Sequence, residues 1–405
     1  MSHLFEDRVS FKQKHLDAFQ RLRVSNPFTL FECQLRYQEN GKFDTKLLGN
    51  ATTQYNIDES SLSLKTTTAS GDKVIRESKR VFAYQPGKSL LTLNSFAFSD
   101  LQSNLRQRVG YFGAENGIYF EANGTELAFV LRSKTSGAVS DTRRFVQSTW
   151  DGDTFDGNGA SGIILDPTKS NIFWIDIEWL GVGDVRCGFV AAGEFIIAHT
   201  FHNENVIDST YMTTACLPIR YELENTGTTA TASEMRQICS TVNSEGGFQA
   251  RSLNYSVGRD FSNLRDLPSA NVTYPVLSIR LKPDRLDSII LPDVADVLGV
   301  TNNASYKYQI RLNASLPGNN WANVSESSSV QYDFSATSMS GGTNLNSGYI
   351  VTGTKGGSLS FGSLDDFNFQ LGRTIDGVSD ILTIGVLTDT PGADVGAILG
   401  WNEIV

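Results

Sequence analysis

The residue types that could do chemistry are concentrated in one short segment, from Phe173 to Trp179. Apolar residues occupy every second position of this segment, and Asp176 and Glu178 fall on the alternate positions. Because side chains on a strand project to opposite faces with a period of two, the pattern predicts a β-strand with one face in a core. The other face would present Trp174, Asp176 and Glu178 together, an aromatic ring beside two carboxylates.

The spacing of Asp176 and Glu178 alone would permit glycoside hydrolysis. Glycosidases hold two carboxyl groups about 5–5.5 Å apart when retaining and about 6.5–9.5 Å apart when inverting, and strand positions two residues apart are separated by roughly 6.5–7 Å. The segment resembles the Glu-Ile-Asp-Ile-Glu motif of concanavalin-like glycoside hydrolases. That resemblance implies that the two outer glutamates would be nucleophile and acid/base. Trp174 replaces the first of them and cannot act as a nucleophile.

Because Trp174 replaces the first glutamate, we rank three possible uses of the face that carries Trp174, Asp176 and Glu178. A solvated or interface-packed sheet surface is favoured over the other two. A lectin-like site comes second, with Trp174, Asp176 and Glu178 as glycan contacts, because an aromatic ring beside carboxylates suits stacking on a sugar and hydrogen bonding to it. Catalysis comes third. We therefore predict no catalytic residue, and a protein that is not an enzyme.

Two further segments carry residue types that bind metals. The loop Asp151–Gly159 has the Asp- and Gly-rich composition of a calcium site, but Phe155 occupies a ligand position of the EF-hand pattern and Asp156 stands where that pattern needs glycine. A polar turn is the favoured interpretation. His199 and His202 are three positions apart, so on a strand they would face opposite sides and could not chelate one ion without a bulge. We predict no metal and no cofactor.

The composition argues against several classes of partner. The 405 residues include 34 basic and 44 acidic side chains, and the net charge of −10 argues against general affinity for nucleic acid or anionic membranes. No signal-peptide pattern and no run of about 20 apolar residues occurs. We therefore expect assembly in a cytoplasm, where the four cysteines (Cys33, Cys187, Cys216 and Cys239) would be reduced and mostly buried.

Strand and turn signals alternate along most of the chain. They predict an all-β fold of two antiparallel β-sandwich domains, the first concanavalin-like or jelly-roll-like, preceded by an extended arm. The predicted boundaries are an N-terminal arm over 1–31, a first sandwich over 32–250, a linker over 251–272 and a second sandwich over 273–405. Local signals predict a hairpin turn at Ala192–Gly193, a short helix over Pro292–Leu298 and a loop or loose hairpin over Ser338–Gly357.

The end of the predicted arm is apolar. Pro27 holds the chain extended, and Phe28, Leu30 and Phe31 follow it. Apolar side chains on an extended segment need a surface to pack on. They either pack on their own domain or anchor the chain to a neighbouring subunit, which makes these four residues the candidates for partner anchoring.

Six stretches of the chain carry a resemblance to a known family: Asp17–Phe31, Val109–Phe112, Gly117–Glu121, Glu178–Arg186, Leu217–Glu222 and Trp401–Ile404. They resemble a family of virion structural proteins of tailed bacteriophages, from phages of marine and other environmental bacteria. The resemblance implies a particle component in the virion, with capsid or tail subunits as partners and homo-oligomeric assembly. A head decoration or fibre-like protein anchored by its N-terminal arm is the favoured role. The alternative is a tail or baseplate receptor-binding protein that recognises a host surface glycan.

Overall fold

The computed structural model describes residues 26–39, 41–249, 252–352, 357–361 and 369–404. Within these ranges the regular structure is β-strand, apart from two single 3-10 turns at Gln147–Thr149 and Phe261–Asn263. No helix in the described part of the chain is both long and apolar enough to cross a membrane. The predicted all-β fold is confirmed.

The described strands form two sandwiches, one after the other along the chain. The first contains β1 (Pro27–Gln34), β2 (Phe43–Leu48), β3 (Thr52–Asn56), β4 (Ser61–Thr66), β5 (Lys73–Ser78), β6 (Ser89–Ala97), β7 (Leu105–Phe112), β8 (Gly117–Asn123), β9 (Glu126–Ser133), β10 (Ser140–Val146), β11 (Asn171–Ile177), β12 (Val185–Ala191), β13 (Glu194–Phe201), β14 (Ile219–Asn225) and β15 (Ser233–Glu245). The second contains β16 (Leu253–Gly258), β17 (Arg265–Leu267), β18 (Tyr274–Leu281), β19 (Ile289–Gly299), β20 (Ser305–Leu312), β21 (Ala322–Asn323), β22 (Val330–Asp333), β23 (Thr343–Val351), β24 (Gly357–Phe361), β25 (Ile381–Thr388) and β26 (Ala393–Ile404).

The first sandwich packs an eight-stranded antiparallel sheet on a seven-stranded one. The order in the former is β13-β12-β11-β6-β15-β4-β3, with β1 also paired to β15, and the order in the latter is β10-β9-β8-β7-β14-β5-β2. Aromatic rings from both sheets meet in the core: the ring of Phe129 on β9 is stacked 5.7 Å from that of Phe173 on β11. Large rings bury much apolar area per residue, so they account for a wide core under long strands.

The second sandwich packs a five-stranded sheet on a six-stranded one. The five-stranded sheet has the order β16-β26-β19-β24, with β17 also paired to β26, and the six-stranded sheet has the order β21-β22-β18-β25-β20-β23. Trp401 on β26 and Tyr306 on β20 are buried in the core between the two sheets.

The strand pairing corrects the predicted arm and linker. Residues Pro27–Gln34 pair with β15 from Glu245 to Cys239, so the end of the predicted arm is a strand of the first sandwich. Strands β16 and β17 lie inside the predicted linker, yet both pair with β26. The start of the predicted arm, residues 1–25, lies outside the described residues.

Three of the four predicted partner-anchoring residues pack on their own sandwich. Phe31 is only 6% exposed and belongs to the core, and Leu30 packs against that core. The ring of Phe28 is stacked 5.7 Å from the ring of Phe248, while Pro27 begins β1 and is exposed. Pairing with β15 turns Phe31 inward onto its own domain, and anchoring to a neighbouring subunit stays a prediction.

One local prediction in the second half was wrong. Pro292–Leu298, predicted as a helix, lies within β19. Proline is tolerated there because β24 pairs only with Ala295–Gly299, and a bulge against β26 lies between Pro292 and Val294. The segment Ser338–Gly357, predicted as a loop or loose hairpin, contains the nine-residue strand β23, which pairs with β20.

The two sandwiches share an interface of apolar and charged contacts. Val81 and Ala83 of the first form a buried cluster with Ile289 of the second. Next to it, Nη1 of Arg373 lies 2.9 Å from Oε1 of the buried Glu77. The contacts therefore join the sandwiches through a core of their own.

Candidate functional site on the outer face of the first sandwich

Strand β11 has the predicted alternation on its inner side. Phe173, Ile175 and Ile177 are fully buried in the core of the first sandwich. The outward positions Trp174 and Asp176 are nevertheless only 4% and 7% exposed. The expectation of an open face is therefore wrong for these two residues, because neighbouring strands cover it.

Trp174 is covered by β12 and β13. Its ring lies in edge contact with Phe195, with ring centroids 5.6 Å apart. It pairs across strands with Gly188, where a Cβ would lie only 2.8 Å from Cζ2 of Trp174. The missing side chain at Gly188 is thus what leaves room for the indole ring, which is part of the sheet's packing and is not available for stacking on a sugar.

Asp176 is held in an ion pair. Its cross-strand partner on β12 is Arg186, and the two side chains form a salt bridge in which the arginine is half exposed and the aspartate is buried. The other oxygen of Asp176, Oδ1, is buried without a hydrogen-bond partner among the described residues, as is Nε1 of Trp174. Buried polar atoms of this kind cost free energy unless water or a ligand satisfies them.

Glu178 lies beyond the end of β11, which stops at Ile177. Its side chain is exposed, and its backbone amide donates a long bond of 3.4 Å to the carbonyl of Asp184. The three predicted glycan-contact residues therefore do not form one open surface: Trp174 is packed, Asp176 is ion-paired and Glu178 stands apart on a loop.

The exposed groups of this face come from residues that sequence reasoning did not select. Phe195 on β13 is 54% exposed, and Arg186 on β12 presents a half-exposed guanidinium. The sequence signal that could have identified both residues was the predicted hairpin of β12 and β13, on which they lie. Its predicted turn at Ala192–Gly193 is confirmed, with both residues at positive φ of 52° and 82°, and its register pairs Phe195 with Val190. We call Trp174, Asp176, Arg186 and Phe195 the β11 face.

The opposite sheet carries a second, unpredicted feature on its outer side, a row of buried charges that alternate in sign. Nη1 of Arg220 lies 2.7 Å from Oε2 of Glu77, Nη1 of Arg108 lies 3.2 Å from Oε2 of Glu222, and Nε of Arg108 lies 2.8 Å from Oε2 of Glu121. Burial raises the pKa of the Glu222 carboxyl, but Arg220, Lys73 and Arg108 outweigh it and lower the pKa to about 2. Glu222 is therefore held as a paired carboxylate within this charge ladder, which suits a rigid surface and not acid/base chemistry.

The two histidines do not face opposite sides as predicted. Nδ1 of His199 lies 3.0 Å from Oδ1 of Asp151, and Nε2 of His202 lies 3.4 Å from Oδ2 of the same carboxylate. A bulge in the β12–β13 pairing changes the register beside them, and His202 follows the end of β13. A hydrogen bond to Asp184 raises the pKa of His202, whereas burial lowers the pKa of His199 against the opposing effect of Asp151.

The acidic loop after Trp150 is held by hydrogen bonds from its own backbone amides. The buried Asp153 accepts hydrogen bonds from the amides of Phe155, at 2.9 Å, and Ser161, at 2.6 Å. Asp156 accepts one from the amide of Asn158 at 2.9 Å. Within the described residues no group of three or more His, Cys, Asp or Glu side chains is placed to hold a metal ion.

Comparison with known proteins yields likeness of fold. No family model matches this chain, and no curated protein matches it. Among solved structures, a protein of unknown function from Shewanella oneidensis MR-1 is similar at 9% identity, with 55% of this chain and 88% of that chain covered and a TM-score of 0.35. The carbohydrate recognition domain of Emp47p matches at 8% identity, with coverages of 55% and 97% and a TM-score of 0.36. A Bacillus licheniformis beta-glucanase matches at 12% identity, with coverages of 52% and 96% and a TM-score of 0.35. At these values the likeness assigns neither an activity nor a ligand to this chain.

Proposed function

We propose that this chain is a non-enzymatic structural component of a tailed phage particle, exposed on the particle surface as a head decoration or fibre-like protein. The family resemblance of segments such as Asp17–Phe31 and Glu178–Arg186 suggests the particle. Two β-sandwiches joined through a buried interface, with a charge ladder over one sheet, suit a subunit that must stay rigid in an assembly.

The state of Asp176 is the observation that carries the non-enzymatic part of this proposal. A glycosidase needs two carboxyl groups that face one glycosidic bond. On β11 the position of the first glutamate is filled by the packed Trp174, and the next carboxylate, Asp176, is ion-paired with Arg186. Glu178 is left as a single exposed carboxylate beyond the strand.

The test of the non-enzymatic part is reducing-end release from host capsular polysaccharide. We expect none from the wild type above the level of a Glu178→Gln variant. Release by the wild type that the variant lacks would make the chain a depolymerase and overturn this part of the proposal.

The place in the particle is tested by gold labelling of intact and disrupted phage with an antibody against this chain. Label spread over heads supports the decoration role. Label confined to the tail tip contradicts that role and favours receptor binding, and absence of label from every particle part overturns the virion proposal.

Anchoring can be tested without damage to the described fold. Since β1 begins at Pro27, a variant that lacks residues 1–25 retains every described strand. We expect this variant to fold and to lose incorporation into particles. Incorporation at the wild-type level would show that the chain is held through another surface.

Glycan recognition is the second candidate, and the β11 face favours it. An exposed aromatic ring, Phe195, covers Trp174, and the half-exposed guanidinium of Arg186 pairs with Asp176. Nε1 of Trp174 and Oδ1 of Asp176 are buried without a hydrogen-bond partner among the described residues. Sugar sites combine apolar rings with a few placed polar groups in this way. On a glycan array of host surface polysaccharides we expect Phe195→Ala to lose binding and Val206→Ala, an exposed apolar residue elsewhere on the sandwich, to keep it. Equal binding by both variants would count against the β11 face.

A further inference from the structure

The outermost strand of the six-stranded sheet, β23, has one edge that no described residue covers. It pairs with β20 on one side, and within the described residues no backbone hydrogen bond reaches Thr343–Val351 from the other side. The edge of β13 differs, because a loop covers it through a 3.0 Å bond from the amide of Gly152 to the carbonyl of Ala198. An uncovered edge offers backbone donors and acceptors to another strand.

The composition of β23 does little to protect this edge. The strand contains neither a charged residue nor a proline, although these are the usual devices against edge pairing. The edge strands β2 and β10 carry such charges, with Lys46 on the former and Arg143 on the latter. One bulge interrupts β23 between Asn344 and Asn346, which leaves regular strand geometry from Asn346 to Val351.

Two of the most exposed apolar side chains of the described protein lie on this regular part. Tyr349 is 72% exposed and Val351 is 75% exposed. Both point outward, because Ile350 between them is buried in the core. A tyrosine and a valine so exposed on an uncovered strand form an apolar stripe along an open backbone ladder.

We propose that β23 pairs antiparallel with β23 of a second copy of this chain, across a twofold axis at Tyr349. In this register Tyr349 lies opposite Tyr349 of the partner, Val351 opposite Ser347, and Ile350 opposite Gly348. The two six-stranded sheets then form one continuous sheet. The pairing does not depend on the place of the chain in a particle.

The chemistry of the strand favours a second copy over an unrelated partner. An isologous contact needs a surface that is complementary to itself. Self-pairing of β23 sets no like charges against each other, whereas self-pairing of β10 would bring arginines together. At Tyr349 it makes an aromatic pair and at Val351 it covers a β-branched side chain, the types that stabilise neighbouring strands. Lys307 lies 5.7 Å from the Tyr349 ring centroid on β20, so it does not stand between the two copies.

Molar mass in solution is the first measurement. Light scattering after size exclusion, over a concentration series of the full chain, should give twice the chain mass of 44.4 kDa at the upper end. Tyr349→Lys should shift the protein to the monomer mass with an unchanged circular dichroism spectrum. Val206→Lys places the same charge at another exposed apolar position and should leave the dimer intact.

Cysteine cross-linking tests the register. Chains with Ser347→Cys mixed with chains with Val351→Cys should form a disulfide-linked dimer under mild oxidation, because directly opposite strand positions have Cα atoms about 4.5–5.5 Å apart. Neither variant should link to itself, since the two copies of either position are offset by four residues along the ladder, about 13 Å.

Three results would overturn the proposal. One is a monomer at every concentration. Another is a dimer that Tyr349→Lys leaves intact. The third is a monomer in which hydrogen exchange nonetheless shows the outward amides of β23 protected, because another part of the same chain would then cover the edge.

Discussion

At the scale of single residues, Glu222 carries the strongest electrostatic constraint in the charge ladder. It is almost fully buried, and Arg220, Lys73 and Arg108 hold its pKa at about 2 against the opposing effect of burial. The reference value is 4.5, so between these two pH values the unfolded chain binds more protons than the folded one. Folding stability therefore falls as the pH drops through this window.

We expect Glu222 to contribute about 3 kcal/mol to stability above pH 4.5 and to lose this contribution progressively as the pH falls toward 2. Urea unfolding at a series of pH values measures the effect. Glu222→Gln should lower stability at pH 7 by about 3 kcal/mol and should flatten the acid limb of the curve by a similar amount. Glu126→Gln is the control, because its ion pair with Arg144 is exposed. If both variants keep the wild-type acid limb, Glu222 is not the group that titrates.

Trp174 is the residue at which a structural role and a binding role separate most clearly. Because its ring is packed under Phe195 and over Gly188, Trp174→Ala should cost about 3–5 kcal/mol of unfolding free energy. Phe195→Ala should cost less, since that ring is half exposed. Chemical denaturation of the two variants checks the order. A nearly neutral Trp174→Ala would mean that the indole does not support the sheet.

At the scale of elements, the local signals with a single physical meaning were predictive. The alternation from Phe173 to Trp179 correctly identified the buried side of β11, and the turn at Ala192–Gly193 was correctly placed because a two-residue hairpin loop needs positive φ. Pro292 misled, because proline near the start of a helix and proline at a strand bulge look alike in one sequence. The strand pairing distinguishes the two cases: β24 pairs only with Ala295–Gly299, so it needs no backbone donor from Pro292.

The candidate site was less predictable because its exposure depends on neighbours distant in sequence. The outward position of Trp174 on β11 is correct, but its burial is decided by Gly188 and Phe195, whose register a single strand does not contain. The charge ladder was missed for the same reason: Glu77 and Arg220 are 143 positions apart. The pattern within one strand thus predicts the face to which a side chain points. Whether that side chain is buried depends on which strands pair beside it.

Gly188 tests the spacing between β11, β12 and β13. A Cβ at this position would press on Trp174 and on the carbonyl of Ile196, so Gly188→Ala should cost about 1–3 kcal/mol through overpacking. Gly193→Asn is the matched control in the same hairpin, because the space around Gly193 is open and asparagine tolerates its positive φ. Thermal unfolding should show a clear loss for the first variant and little change for the second. An undiminished melting temperature for Gly188→Ala would contradict the tight packing of Trp174.

At the scale of the whole molecule, the interface between the sandwiches decides whether they unfold together. Arg373 lies 2.9 Å both from Glu77 of the first sandwich and from Asp287 of its own. Around this pair the amide of Ile375 donates to Asp44 at 2.8 Å, and Gln370 donates to the carbonyl of Val81 at 3.1 Å. A buried ion pair that loses one partner leaves an uncompensated charge, which is much more costly than the pair itself.

We therefore expect one calorimetric transition for the wild type and two for Arg373→Met, in which Glu77 keeps Arg220 but loses its link across the interface. The first sandwich should melt earlier, and because Arg220 still pairs with Glu77, the loss should be smaller than the roughly 3–5 kcal/mol of a buried charge left without any partner. Lys46→Met removes the ion pair with Asp376 across the same interface, but both groups are exposed, so it should cost less than about 1 kcal/mol and preserve the single transition. Two separate transitions in the wild type would mean that the sandwiches are independent. A single transition in Arg373→Met would assign their coupling to the apolar cluster around Val81 and Ile289.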